Sequence, residues 1–242
     1  MPKKSPCYNL ISGVSHDLKS PLHAILGFTD LIKTDIQQLQ NLPERTISHL
    51  DLVCNIGNDM LELINNMLTT ARLNSGQQEI EPLLITHDVL IKRIHELEST
   101  FKAEVQSRNI DFSIDYGRLP EVACWDVKSL RYFVMNNLIS NALKFVKKDG
   151  IVQVYIDTDD DDQVSISVSD NGPGIPVHER EKIFEQFSRS EDIEFSTPGS
   201  GLGLYNAHQM IQKHHGHIST SDGLENSGIT FTAKLPAMPF EL

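Results

Sequence analysis

The strongest constraint on this chain is a change of period along its length. From Leu10 to Ala71 apolar residues recur at intervals of three and four, and beyond Ile110 they alternate with polar ones. The first rhythm belongs to helices with one apolar stripe, the second to strands with one buried side. Leu10, Val14, Leu18, Leu22, Ile25, Thr29, Ile32 and Ile36 form one stripe. Ile47, Leu50, Val53, Ile56, Met60, Ile64, Met67 and Ala71 form another. The period lapses over 37–44, which contains Pro43, so a turn is expected there. Two long helices joined this way make an antiparallel hairpin, and a hairpin with narrow apolar faces encloses no core alone. Pairing two copies into a four-helix bundle would bury both stripes, so a homodimer is expected.

The polar run Asn74-Ser75-Gly76-Gln77-Gln78 reads as a linker, which gives domains at 1–76 and 77–242. In the second, helices are expected over 87–108, 127–147 and 202–214. Strands are expected over 110–116, 151–156, 164–168, 217–221 and 229–235. The acidic run 157–162 reads as a solvated hairpin tip rather than a metal site, because hard-cation loops space their ligands with glycine between them. Strands with helices interspersed suggest a two-layer α/β sandwich, so the fold class is α+β: a helical hairpin, then a sandwich.

Lys plus Arg number 21 against 33 Asp plus Glu, a net charge of −12. That excess argues against nucleic acid, and against an anionic membrane surface, as the main partner. Cys7, Cys54 and Cys124 stand far apart without a Cys-x-x-Cys pair, as free thiols in a reducing compartment do. No apolar run approaches the roughly 18 residues of a membrane span. Met1-Pro2-Lys3-Lys4 is followed by too little hydrophobic sequence for a signal peptide. A cytoplasmic location is expected, as a free protein or as the cytoplasmic part of a membrane-anchored parent.

Four motifs carry chemistry. Ser15-His16-Asp17-Leu18-Lys19-Ser20-Pro21 lies in the first helix, where Pro21 removes a donor and should bend the helix just after His16. A neutral imidazole is a competent nucleophile near pH 7, and a neighbouring carboxylate can hold one ring nitrogen. By itself the pair is weak and reads more readily as a surface feature. Asn137, Asn141 and Lys144 lie at i, i+4 and i+7, so two amides and an ammonium share one helical face. Such a row could hold magnesium and triphosphate oxygens, or be a plain polar stripe. Asp170-Asn171-Gly172-Pro173-Gly174 follows a strand, where a carboxylate can accept from an exocyclic amine and glycines admit a flat ring. A plain turn has the same composition. Gly199-Ser200-Gly201-Leu202-Gly203 leads into a helix whose N–H groups could meet phosphate oxygens, and lacks the Gly-Lys-Ser/Thr ending of a Walker loop. Between the last two, Phe184 to Phe187 reads as a flap with two aromatic anchors.

In this order and spacing the segments resemble the sensor histidine kinase family across nearly the whole chain. His16 to Pro21 is similar to its phosphoacceptor box, Asn137 to Asn141 to its asparagine box, and Phe184 to Phe187 to its phenylalanine box. Asp170 to Gly174 and Gly199 to Gly203 are similar to its two glycine boxes. The resemblance implies a dimerising phosphotransfer hairpin, a Bergerat-type ATP-binding domain, and a response regulator receiver domain as partner. It implies ATP and Mg2+ as cofactors, with His16 phosphorylated and Asp17 assisting as general base. It further implies Asn141 as the magnesium ligand with Asn137 beside it, Lys144 and Arg189 on phosphates, and Asp170 on the adenine amine. Gly172, Gly174, Gly199 and Ser200 would complete the nucleotide boxes, and Gly201, Leu202 and Gly203 would meet the triphosphate through their backbone.

Two positions depart from the pattern. Ser20 stands where relatives that dephosphorylate their partner carry Thr or Asn, which leaves phosphatase activity open. Phe133 stands where many relatives are polar. A gyrase- or chaperone-like ATPase would carry a Glu at Asn137 to activate water. A serine-directed kinase of the same superfamily lacks the His-bearing hairpin, and a non-catalytic scaffold would show a damaged nucleotide box.

Overall fold

A computed structural model describes residues 18–19, 22–34, 44–188 and 200–240. They divide into two compact units, one formed up to Gln78 together with 200–202, the other by 79–188 and 203–240. The bend expected after His16 and the turn expected over 37–44 lie largely outside the described residues.

The first unit is a pair of helices, α1 (22–34) and α2 (Glu44–Asn74). Leu22, Thr29, Cys54, Ile64 and Leu73 are buried, and an atom built as Cβ on Gly57 would lie 2.6 Å from the Leu26 side chain, a close packing point. The pair is also tied by Lys33 and Asp51 at 2.8 Å, and by the Cys54 thiol donating to Asp30 at 3.6 Å. Yet Ile25, Phe28, Leu31 and Ile32 on α1, and Ile56, Met60, Leu63 and Met67 on α2, remain exposed. A single chain thus leaves much of the predicted stripes in water. α2 stops because Gly76 takes a left-handed φ of 69°, which lets Gln77 N–H reach the Arg72 carbonyl.

The second unit is a five-stranded sheet, order β2-β4-β5-β7-β6, with helices on one face. Its strands are β2 (Asp111–Tyr116), β4 (Ile151–Thr158), β5 (Gln163–Asp170), β6 (His217–Asp222) and β7 (Ile229–Pro236). β2 runs parallel to β4 and the other pairs are antiparallel. Strict alternation places Val152, Val154 and Ile156, Val164, Ile166 and Val168, and Phe231, Ala233 and Leu235 on the buried side. Against them lie α3 (His87–Arg108), α5 (Asn136–Phe145) and α6 (Gly203–Lys213). The acidic run forms the β4–β5 tip, where Asp159 accepts from the N–H groups of Asp161 and Gln163 and pairs with Lys234 at 2.6 Å.

Two elements were not expected. β1 (Leu83–Thr86) and β3 (Val122–Trp125) form a separate antiparallel pair beside the sheet. The helix expected over 127–147 is three pieces: a short α4 (Val127–Ser129), a π turn over Leu130–Met135, and α5.

Asp126 caps α4, its carboxylate accepting from Ser129 N–H at 3.0 Å, Ser129 Oγ at 2.7 Å and Glu81 N–H at 3.2 Å. Its own N–H donates to Nε2 of His214, just past α6, at 3.2 Å. The other ring nitrogen, Nδ1, lies 2.9 Å from the Met210 carbonyl, which can only accept, so the ring is neutral with its proton on Nδ1. His214 is 0% exposed, and burial holds its pKa below the ordinary histidine value. A depressed histidine pKa means that the unfolded chain takes up the proton first, so stability is lost as pH falls below the ordinary value. Burial acts in the same direction on His208. The melting temperature of the second unit, followed by the single, buried Trp125, is therefore expected to drop between pH 7.5 and pH 5.5. His214→Gln should flatten that drop while melting lower at pH 7.5; an unchanged slope would refute the assignment.

Candidate functional site

α5 is amphipathic in the plain sense: Leu138, Ile139, Ala142 and Leu143 are buried against the sheet side, and Asn137, Asn141 and Lys144 stand half-exposed on the opposite face. The row read from the i, i+4, i+7 spacing is therefore present. Phe145 carries the Lys144 ammonium at 5.7 Å from its ring.

Asp170 is the last residue of β5 and continues the buried side of that strand, 3% exposed. Its Oδ1 accepts from Gly172 N–H at 2.8 Å and Ile229 N–H at 3.4 Å. Oδ2 accepts from no donor among the described residues. A carboxylate oxygen is thus left over at a strand end, with chemistry suited to an amine. Burial pushes the Asp170 carboxyl above the usual carboxylate range, against the two N–H donors that pull it down.

The seat of Asp170 is made of glycines. A Cβ on Gly228 would come within 2.0 Å of the Asp170 carbonyl oxygen, and one on Gly223 within 2.4 Å of the same atom. On Gly174 it would approach the Gly228 carbonyl to 2.7 Å, and on Gly172 the Asp170 Oδ1 to 3.0 Å. Ser227 Oγ donates to the Gly172 carbonyl at 2.8 Å, which ties the β6–β7 connection to the turn after β5. Gly172 and Gly174 were expected at the site; Gly223, Gly228 and Ile229 were not. The signal for them was available, two glycines bracketing the short connection between strands at 217–221 and 229–235.

The remaining candidates divide. Gly203 opens α6, and a Cβ there would lie 2.5 Å from Asn137 Oδ1, so the second unit brings Gly203 beside the asparagine row. Ser200, Gly201 and Leu202 group with the first unit; Leu202 N–H donates to Ser200 Oγ at 3.3 Å across Gly201, whose φ is 66°. His16, Asp17, Ser20, Arg189 and Gly199 lie outside the described residues. Of the two expected aromatic anchors one holds. Phe184 packs on His208 at 5.4 Å and on Phe231 at 6.2 Å, whereas Phe187 is 64% exposed. The local reason is its backbone: Phe187 has a φ of 61°, in the left-handed region, which turns it off the path set by Phe184.

Comparison with known proteins finds two family profiles. The His Kinase A (phospho-acceptor) domain matches residues 8–76, and the histidine kinase-, DNA gyrase B-, and HSP90-like ATPase matches residues 126–239. Among relatives, hybrid signal transduction histidine kinase D of Dictyostelium discoideum is 31% identical over 94% of this chain and 14% of its own length. Histidine protein kinase SaeS of Staphylococcus aureus is 28% identical over 93% of this chain and 62% of its own. The chain therefore spans less than two thirds of either relative. The full-length ShkA structure, solved in complex with AMPPNP, shares the fold with a TM-score of 0.71 at 24% identity, over 96% of this chain and 47% of that one. No helix among the described residues is long and apolar enough to cross a membrane.

A carboxyl whose pKa is raised by burial opposes folding once it ionises, so Asp170 weakens the native state as pH rises through its window. Asp170→Asn keeps an oxygen for Gly172 and Ile229 but has no charge to bury. Without any ligand, it is expected to melt above the parent at pH 7, with the gap closing as pH approaches 4. Scanning calorimetry at both pH values checks this, and a variant that melts lower at pH 7 contradicts it.

Proposed function

The chain belongs to the sensor histidine kinase family, and from that premise we propose that it is an ATP-dependent protein-histidine kinase that phosphorylates His16 and passes the phosphoryl group to an aspartate of a response regulator receiver domain. The observation that carries the reading is the buried strand-end carboxylate of Asp170, seated on glycines in the same unit as the Asn137, Asn141 and Lys144 face. The proposed division is 1–76 for dimerisation and phosphotransfer and 77–242 for nucleotide binding. A cytoplasmic location accords with its need for ATP.

The residues fit the nucleotide. The free Oδ2 of Asp170 accepts the adenine amine, and Gly172 and Gly174 form the close-packed turn that seats that carboxylate. The carbonyl oxygen of the Asn141 amide is a hard donor of the kind that Mg2+ takes while keeping most of its waters. Mg2+, when bound, supplies neutralisation of the charge on the phosphates. Lys144 and Arg189 add positive charge to the triphosphate, and the backbone of 199–203, including Gly199 and Ser200, offers N–H donors. An imidazole nitrogen of His16 attacks the γ-phosphorus, ADP leaves, and Asp17 takes up the ring proton. Positioning and charge neutralisation are the protein's main contributions to such a transfer.

A homodimer through the hairpin is part of the same proposal. The exposed apolar residues of α1 and α2 support it, since burying such side chains contributes roughly 25 cal/mol per Å² of apolar surface.

Incubation with ATP and Mg2+ should yield an acid-labile, base-stable phosphoryl adduct. His16→Gln should abolish it and Asn141→Ala should reduce it by about two orders of magnitude or more, the scale of a lost charge-stabilising contact. A label that survives His16→Gln removes the phosphoacceptor assignment, and one unaffected by Asn141→Ala removes the magnesium assignment.

A further inference from the structure

The π turn over Leu130–Met135 immediately precedes the asparagine row. There the N–H of Asn136 donates to the Arg131 carbonyl, five residues back, before α geometry resumes. Single π turns inside helices are rare and concentrate at functional sites. Here the displaced backbone pairing is joined by a side chain: Nδ2 of Asn137 donates to the Phe133 carbonyl at 2.8 Å. An amide that donates back to its own helix is held in one rotamer. With Nδ2 so occupied, Oδ1 faces Gly203, where an added Cβ would lie 2.5 Å from it.

Oδ1 is the far end of a side chain, and on steric grounds alone it could swing away from an added methyl group. The bond to Phe133 opposes that swing, because any rotation about χ1 or χ2 breaks it. The contact is therefore stiff for a reason lying in the π turn, not in Gly203.

We infer that Asn137 is a positioning residue: pinned by the Phe133 carbonyl of the π turn, its amide sets how closely the first residue of α6, Gly203, approaches α5. This rests on the nucleotide-binding reading of α5 and Gly203, and adds to it a role for Asn137 distinct from that of Asn141. Asn137 acts on the spacing of the phosphate-binding helix, and Phe133 contributes through its backbone, which explains how its apolar side chain is tolerated there.

The test compares the parent, Gly203→Ala, Asn137→Ala and the double variant, all as the full chain, titrated with trinitrophenyl-ATP and Mg2+. Gly203→Ala should weaken binding by roughly tenfold or more and Asn137→Ala by about threefold or less, while the double variant should return to the level of Asn137→Ala, a coupling of opposite sign to simple additivity. A double variant no better than Gly203→Ala, or a Gly203→Ala protein that binds like the parent, overturns the inference. Melting followed by Trp125 reports whether each variant is folded. A second measurement needs no nucleotide and so separates this inference from the functional reading. One Asn137 side-chain amide proton should exchange slowly with solvent in the parent and keep that protection in Gly203→Ala, because it is α6 that gives way; an amide unprotected in the parent, or one that loses its protection in Gly203→Ala, overturns the inference whether or not nucleotide binds.

Discussion

The second unit depends on one buried carboxylate. Asp126 receives the N–H of Glu81 from the entering chain and both donors of Ser129 at the start of the helix, and its backbone N–H engages His214 at the far end of α6. Hydrogen bonds to an ionised acceptor are about twice as strong as neutral ones, and removing a buried acceptor leaves its donors unsatisfied. The residue therefore fixes where the helix leading to α5 begins and where α6 ends. Both helices that carry candidate site residues in this unit take their position from it. The requirement that His214 stay neutral follows directly, since a second ring proton would face the Asp126 N–H.

The site itself is built from features that oppose stability. Asp170 sits where burial disfavours its charge, and the π turn interrupts the regular helix with a change of phase. The glycines around Asp170 have no side chain to pack, and each carries more chain entropy in the unfolded state than alanine would. None of these is needed to close the sheet, whose alternating valines and isoleucines would pack equally well on an ordinary turn. They are explained together if the unit must present a carboxylate oxygen and a row of amides to something that is not protein.

Sequence made the regular parts of this fold legible. α3 was expected over 87–108 and forms there, and all five strands of the sheet form where they were expected, to within two residues at each end. β1 and β3 were not readable because each has four residues and no clean alternation: Ala123, Cys124 and Trp125 are all buried in succession, an arrangement made by long-range pairing. His214 was not readable as a core residue because it stands among His215 and His217, where composition suggests surface. The π turn packs against α6, a long-range contact that no local propensity reports. At the site, Asp170 was visible because its own strand and its own glycines are adjacent in sequence. The part played by Gly223 and Gly228 depends on a register between β5 and β7 that only the folded sheet reveals.

Position 137 also bears on why such a site would transfer a phosphoryl group and not hydrolyse it. Activating water requires a group that can take its proton, and a carboxamide is not a base at any physiological pH. Its nitrogen is already committed to Phe133 and its oxygen lies against Gly203, so the side chain is doubly engaged in structure. A carboxylate in the same place would lose the donor to Phe133 and, with it, the constraint on α6. The same substitution that would supply a hydrolytic base would thus release the constraint on α6. An asparagine at 137 favours a site that orients the nucleotide and leaves the nucleophile to be brought by another part of the chain, as a histidine on a separate helical unit would do.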